Sequence, residues 1–190
     1  MHTGLEIGFT LDRQWHLLRG EMDQTKEPAL VALARLLTEA GVAYAVIGGV
    51  ALQVHRSDPR TTLDIDLAIV DRNLIPRAAL EAAGFSHKGS FAHSDNWTAP
   101  GSTPVQFTDD QALRPAIARA ETIDLGGLPL RVIKRADLLH EKLRAATDPA
   151  RRRSKRLQDF ADAQGLLEDE PSLAAGLSAE ERATLDRLPS

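Results

Sequence analysis

Residues 46–70 read VIGGVALQVHRSDPRTTLDIDLAIV. The run VAYAVI over 42–47 is short, apolar and β-branched, so it reads as a buried strand. Gly48-Gly49 ends it, and VALQVHR begins a helix directly after. A polar turn, SDPR, then leads into a second strand, LDIDLAIV, which carries Asp64 and Asp66. Side chains alternate along a strand, so these carboxylates share one face while Leu63, Ile65 and Leu67 take the other. The strand rise puts the two Cα atoms about 6.5 Å apart, close enough for both side chains to converge on one ion. Neighbouring carboxylates repel, and without a cation one tends to keep its proton; beside Mg²⁺, which takes hard oxygen ligands, both ionise. By itself the pair also describes a strand with one wet face, and Gly48-Gly49 a tight strand-to-helix connection. Together they describe more. A turn without Cβ atoms lets backbone N–H groups approach an anion at a helix N-terminus, the place for a polyphosphate. Arg60 and Thr62, just ahead of the acids, either hold a phosphate or form a surface turn and strand start.

Outward from this unit, residues 1–27 show no sustained period and read as an irregular or partly helical lead-in. Leu30, Leu33, Ala34 and Leu37 form a helical stripe that Pro28 opens and Gly41 closes. Asn73–Ala83 reads as a helix stopped at Gly84, and 85–104 as short strands and loops. TPVQFT (103–108), TIDL (122–125) and LPLRVI (128–133) are further strands. Arg135–Thr147 and Ser154–Glu168 are amphipathic helices, and Ser178 with Glu181 makes a capping box for a last helix through Leu188. The pattern is α+β, a small mixed sheet flanked by helices with a helical C-terminal part. It divides into a lead-in (1–27), a core (28–134) and C-terminal helices packed on it (135–190).

The chain has 190 residues, 43% of them hydrophobic, enough for one sizeable core. It contains no cysteine, which excludes a disulfide framework, a thiolate metal site and a cysteine nucleophile. The N-terminus is broken by Asp12, Arg13, His16 and Arg19 and lacks the apolar run of a secretory signal. Nothing approaches the roughly 18 consecutive apolar residues of a membrane span, so a cytoplasmic protein is expected. The net charge of −4 conceals a basic block between Arg131 and Arg156, with ten basic side chains against three acidic ones. Such a block marks either a polyanion contact or a solvated helix junction. Within it, Lys142 interrupts an apolar stripe formed by Leu138, Leu139 and Ala146, so its amine snorkels to the edge or enters a polar site. Lys155, Asp159 and Asp162 share one helical face, expected to be a wet surface or part of a site. The six histidines show no metal-ligand spacing and read as structural or exposed; Trp15 and Trp97 read as core or pocket wall.

The stretch GGVALQVHRSDPRTTLDID resembles the signature of the DNA polymerase β-like nucleotidyltransferase superfamily: strand, GG, short helix, then D-x-D on the next strand. Its GG and R-x-T-x-D-x-D form is most similar to AbiEii-like toxin nucleotidyltransferases. The resemblance implies that Gly48 and Gly49 cradle the triphosphate of a nucleoside triphosphate while Asp64 and Asp66 hold Mg²⁺. It implies Lys142 as a catalytic cation, and Arg60, Thr62, Lys155 and Asp159 as nucleotide-binding residues. The activity implied is transfer of a nucleotide to RNA, with tRNA the first acceptor, by a toxin paired with a cognate antitoxin. Two alternatives stand beside it: an aminoglycoside-type small-molecule nucleotidyltransferase, and a non-catalytic nucleotide-binding protein on the same fold. The second arises because relatives carry a third carboxylate on a later strand, where this chain has Gln106; Asp109 and Asp110 follow closely.

Overall fold

The computed structural model describes residues 1–20 and 25–186. Among the described residues eight helices, α1 (Thr3–Leu18), α2 (Glu27–Glu39), α3 (Gly48–His55), α4 (Arg77–Ala82), α5 (Arg114–Arg119), α6 (Arg135–Thr147), α7 (Arg153–Asp169) and α8 (Ala179–Leu185), surround one sheet. Its seven strands are β1 (Tyr44–Ile47), β2 (Ile65–Ile69), β3 (Ser86–Ser90), β4 (Asp95–Thr98), β5 (Pro104–Thr108), β6 (Glu121–Leu125) and β7 (Leu128–Val132), ordered β3-β4-β5-β2-β1-β7-β6. The sheet is mixed. β1 runs antiparallel to β2 and parallel to β7, and β2 runs parallel to β5.

β1 is central and buried at all four positions, which is why its sequence is continuously apolar rather than alternating. The register follows from it: Ile47 pairs with Asp66, and Asp66 pairs in turn with Gln106 on β5. The acid at 66 therefore sits where the last residue of β1 hands over to α3. The helix expected over Asn73–Ala83 is broken into a 3-10 turn (Arg72–Leu74) and α4. Pro76 divides them, since the residue before proline is held out of the helical region and Ile75 is at φ −58°, ψ 124°. The region 85–104 contains the β3–β4 hairpin, with a bulge between His87 and Gly89. The Ser178–Glu181 capping box is present at the start of α8; the expected end at Leu188 lies outside the described residues. Trp97 is buried, donating Nε1–H to Asp95, whereas Trp15 lies on the surface at 41% exposure. His55 is buried against the carbonyl of Ile133.

The lead-in forms a regular helix over Thr3–Leu18. Two glycines and a mixed polar sequence hide it from periodicity, because only Leu5, Phe9 and a few small or polar neighbours are buried. Gly4 and Gly8 let α1 approach α3 at backbone distance: a Cβ at Gly4 would stand 1.9 Å from the Gln53 carbonyl oxygen, and one at Gly8 2.4 Å from the Gln53 side-chain oxygen. Gly4→Ala should therefore force α1 off α3 and lower stability by about 1–3 kcal/mol, read as a reduced urea midpoint.

Candidate active site

α3 starts without any intervening loop after β1. Gly48 adopts φ +63°, and a Cβ there would lie 2.1 Å from Asp66 Oδ2; one at Gly49 would lie 2.3 Å from Thr62 Oγ1. No larger residue fits at Gly48 without moving Asp66, or at Gly49 without moving Thr62. Asp66 is on β2 and Asp64 stands one residue before the strand begins. Thr62, buried, donates its hydroxyl to Asp64 Oδ1 at 2.7 Å. Among the described residues no N–H or O–H group donates to the Asp66 carboxylate and no cation pairs with it. Burial, and after it the charge of Asp64, pushes the Asp66 carboxyl up to about 7, while Lys142, Arg151 and Lys155 pull the other way. Two oxygen donors beside each other, one of them lacking any donor, fit an oxygen-seeking divalent cation such as Mg²⁺. Among the described residues no group of three or more His, Cys, Asp or Glu side chains could hold a metal ion. The remaining ligands of such an ion would therefore be water or substrate phosphate.

These groups open into a cleft of about 1000 Å³ whose opposite wall is built by α6, α7 and the loop between them. There a chain of alternating charges runs through the protein. Arg60 forks onto Asp162 through Nε (2.8 Å) and Nη2 (2.9 Å); Asp162 also accepts from Lys142 Nζ at 2.8 Å. Lys142 Nζ donates to Asp159 at 2.8 Å as well, and Arg151 closes the row on the other Asp159 oxygen at 2.6 Å. Lys142, Asp159 and Asp162 are all buried, so each charge is neutralised by a neighbour instead of by water. Lower in the cleft, Arg144 bridges Glu141 and Asp110, each at 2.7 Å. Asp109 is withdrawn from the cleft by a two-pronged contact with Arg72.

The sequence profile of the family described as "Nucleotidyl transferase AbiEii toxin, Type IV TA system" matches residues 31–188. The chain belongs to the AbiEii nucleotidyltransferase family. It is a nucleotidyltransferase, on the fold of the DNA polymerase β-like superfamily. Among solved structures it is similar to an antigenic nucleotidyltransferase-like protein from Paracoccidioides brasiliensis (21% identity, TM-score 0.53, covering 84% of this chain and 91% of that one). It is also similar to the antibiotic-resistance factor ANT(2'')-Ia (19%, TM-score 0.56, 85% and 96%). The Megavirus polyadenylate synthase shares the fold over 79% of this chain and 33% of its own (14%, TM-score 0.55). No curated protein matches. No helix among the described residues is long and apolar enough to cross a membrane.

Of the residues singled out in the sequence, the AbiEii-type cleft brings together Gly48, Gly49, Arg60, Thr62, Asp64, Asp66, Lys142, Lys155 and Asp159. Their individual settings differ from expectation in two respects. Arg60 is committed to Asp162 rather than open to a phosphate, because Asp162 is buried and needs a fork-shaped cation. The face holding Lys155, Asp159 and Asp162 is split: Lys155 is exposed, while both acids are turned inward onto Lys142. Gln106 takes the place beside Asp66 that the expected register assigns to it. The Asp110–Arg144–Glu141 cluster was not legible, since Glu141 and Arg144 look like an ordinary i, i+3 surface pair and Asp110 is remote in sequence.

Two expectations follow from these charges. The folded state holds the Asp66 proton more tightly than the unfolded chain does, so Asp66 contributes stability at low pH that is lost as pH rises through about 7. In EDTA, the thermal midpoint of Asp66→Asn should gain on that of the wild type as pH rises from about 4 to about 7 and keep a constant lead above it. Lys142→Met leaves Asp159 and Asp162 facing each other without their shared cation. It should cost about 3–5 kcal/mol in a urea titration.

Proposed function

We propose that the chain transfers a nucleotidyl group from a nucleoside triphosphate to an RNA acceptor, tRNA in the first place, in a Mg²⁺-dependent reaction. The observation that carries this reading is the cleft itself. One wall offers a Cβ-free helix start beside two carboxylates, and the other carries the ion-paired Arg144 and Arg151 with Arg152 and Lys155 exposed at its rim. Asp64 and Asp66 would hold the Mg²⁺, which when bound supplies charge neutralisation on the phosphates. The start of α3 at Gly48 and Gly49 presents backbone N–H groups and the positive end of the helix dipole to the triphosphate. Lys142, fixed between Asp159 and Asp162, keeps a positive charge at the cleft wall without swinging into it. The acceptor's hydroxyl oxygen attacks the α-phosphorus and its proton passes to water, the bond to the β-phosphate oxygen breaks, and pyrophosphate leaves. The Gln106 amide can orient an acceptor hydroxyl by a hydrogen bond but cannot take its proton.

The rim supports a polyanionic acceptor over a cationic drug. Asp110 and Glu141 on the cleft wall are both engaged by Arg144, so neither stands bare for the ammonium groups of an aminoglycoside. A toxin of this kind would act in the cytoplasm beside a cognate antitoxin, in keeping with the type IV toxin–antitoxin family. Incubation with each labelled nucleoside triphosphate, total RNA and Mg²⁺ should give label in RNA with one or more nucleotides. EDTA and Asp64→Ala should each abolish it, and the signal should fall steeply between low and moderate salt. Label on an aminoglycoside but not on RNA would favour the small-molecule reading. Triphosphate binding without transfer to either would favour the non-catalytic one.

A further inference from the structure

The most completely buried ion pair in the described residues lies outside the cleft. Lys26, whose side chain is 1% exposed, directs Nζ at both oxygens of Asp12, at 2.7 and 2.6 Å. Its third donor goes to the backbone carbonyl of Thr62 at 2.9 Å. Asp12 belongs to α1 and Lys26 stands immediately before α2, so both precede residue 31, where the family profile begins to match.

Thr62 connects this pair to the acids. Its carbonyl accepts from Lys26, its hydroxyl donates to Asp64 Oδ1, and its side chain fills the space that a Cβ at Gly49 would take. A second tether reaches the same segment. Gln53, gripped by Gly4 and Gly8 of α1, donates Nε2–H to the carbonyl of Arg60 at 3.1 Å. Residues 59–64 have no strand or helix partners of their own, because β2 begins only at Ile65. The orientation of Asp64 thus depends on contacts from behind: one comes from Lys26 in the N-terminal region, and the other from Gln53 of α3, which is packed against α1. Stability alone gives no reason to keep a buried Lys–Asp pair, since well-packed apolar residues of similar volume commonly replace such a pair at no loss.

We propose that Asp12 and Lys26 are positioning residues for the metal-binding acids: they fix Thr62 so that its hydroxyl aims the Asp64 carboxylate toward the ion it shares with Asp66. This rests on the reading that Asp64 and Asp66 hold a divalent cation. The N-terminal helix then serves the site without entering the cleft.

The test uses the full chain, with Mn²⁺ as an oxygen-seeking spectroscopic stand-in for Mg²⁺, its free concentration followed by electron paramagnetic resonance with no nucleotide present. Asp12→Leu/Lys26→Met removes both charges while keeping the volume filled, and Thr62→Val removes the hydroxyl alone. Both variants should melt within a few degrees of the wild type yet bind Mn²⁺ about tenfold or more weakly, the loss typical of an orienting partner behind a metal ligand. Combining all three substitutions should weaken binding no further than Thr62→Val does, because they interrupt one path. Unchanged Mn²⁺ affinity in the folded double variant overturns the proposal. If the double variant does not fold, unchanged affinity in Thr62→Val overturns it alone. Asp66→Ala separates the two levels: wild-type Mn²⁺ binding that this substitution leaves intact removes the metal site itself and this inference with it.

Discussion

Asp66 is held at the junction of β1, β2 and α3, beside a second carboxylate, with no donor among the described residues to share its charge. That juxtaposition is unfavourable in an empty cleft, and much of the surrounding architecture makes sense as the means of enforcing it. The helix can begin against Asp66 only because positions 48 and 49 lack side chains. Asp64 is restrained from moving away by the Thr62 hydroxyl. The register of β5 then puts an uncharged amide, Gln106, in the neighbouring position, so the sheet adds no third negative charge there. A cation held by these two acids would have fewer protein ligands than one enclosed by three, leaving more of its positions to phosphate and water.

The positive charges of the cleft are organised by the opposite rule. Where the acids are kept short of partners, the cations of α6 and α7 are supplied with them in excess. Lys142 has two carboxylates, Arg151 shares one of these, and Arg144 has two of its own. A lysine so held loses little rotamer freedom when substrate binds, and it contributes a field more than a moving hydrogen-bond donor. Lys155 and Arg152 on the rim are not committed in this way. The wall consequently grades from paired, restrained charge to exposed charge at the mouth.

The local features of the site were legible in the sequence, and the distant ones were not. Gly48-Gly49 and Asp64-x-Asp66 declare themselves because their chemistry depends on neighbours within twenty residues, and the α+β class follows from the same stretch. Lys142 betrayed itself by breaking an apolar stripe. Asp159 and Asp162 can pass for solvated helix residues until Lys142, and for Asp162 also Arg60, is seen beside them, and no pattern on one helix can announce a partner on a different element. The N-terminal helix escaped for a related reason: its contacts depend on two glycines fitting beneath Gln53, whereas periodicity counts apolar side chains. Pro76 did carry a signal, since a proline within an apparent helix is reason enough to divide it.

The charge row across the back wall also fixes an order of events during synthesis. Arg60 and Asp162 are separated by 102 positions along the chain, and Arg56 with Asp169 by 113. While the ribosome has yet to release α7, Lys142 has neither of its carboxylates and the segment before β2 has lost its far anchor. Fragments cut short before this point, whether nascent or truncated, therefore lack a finished cleft.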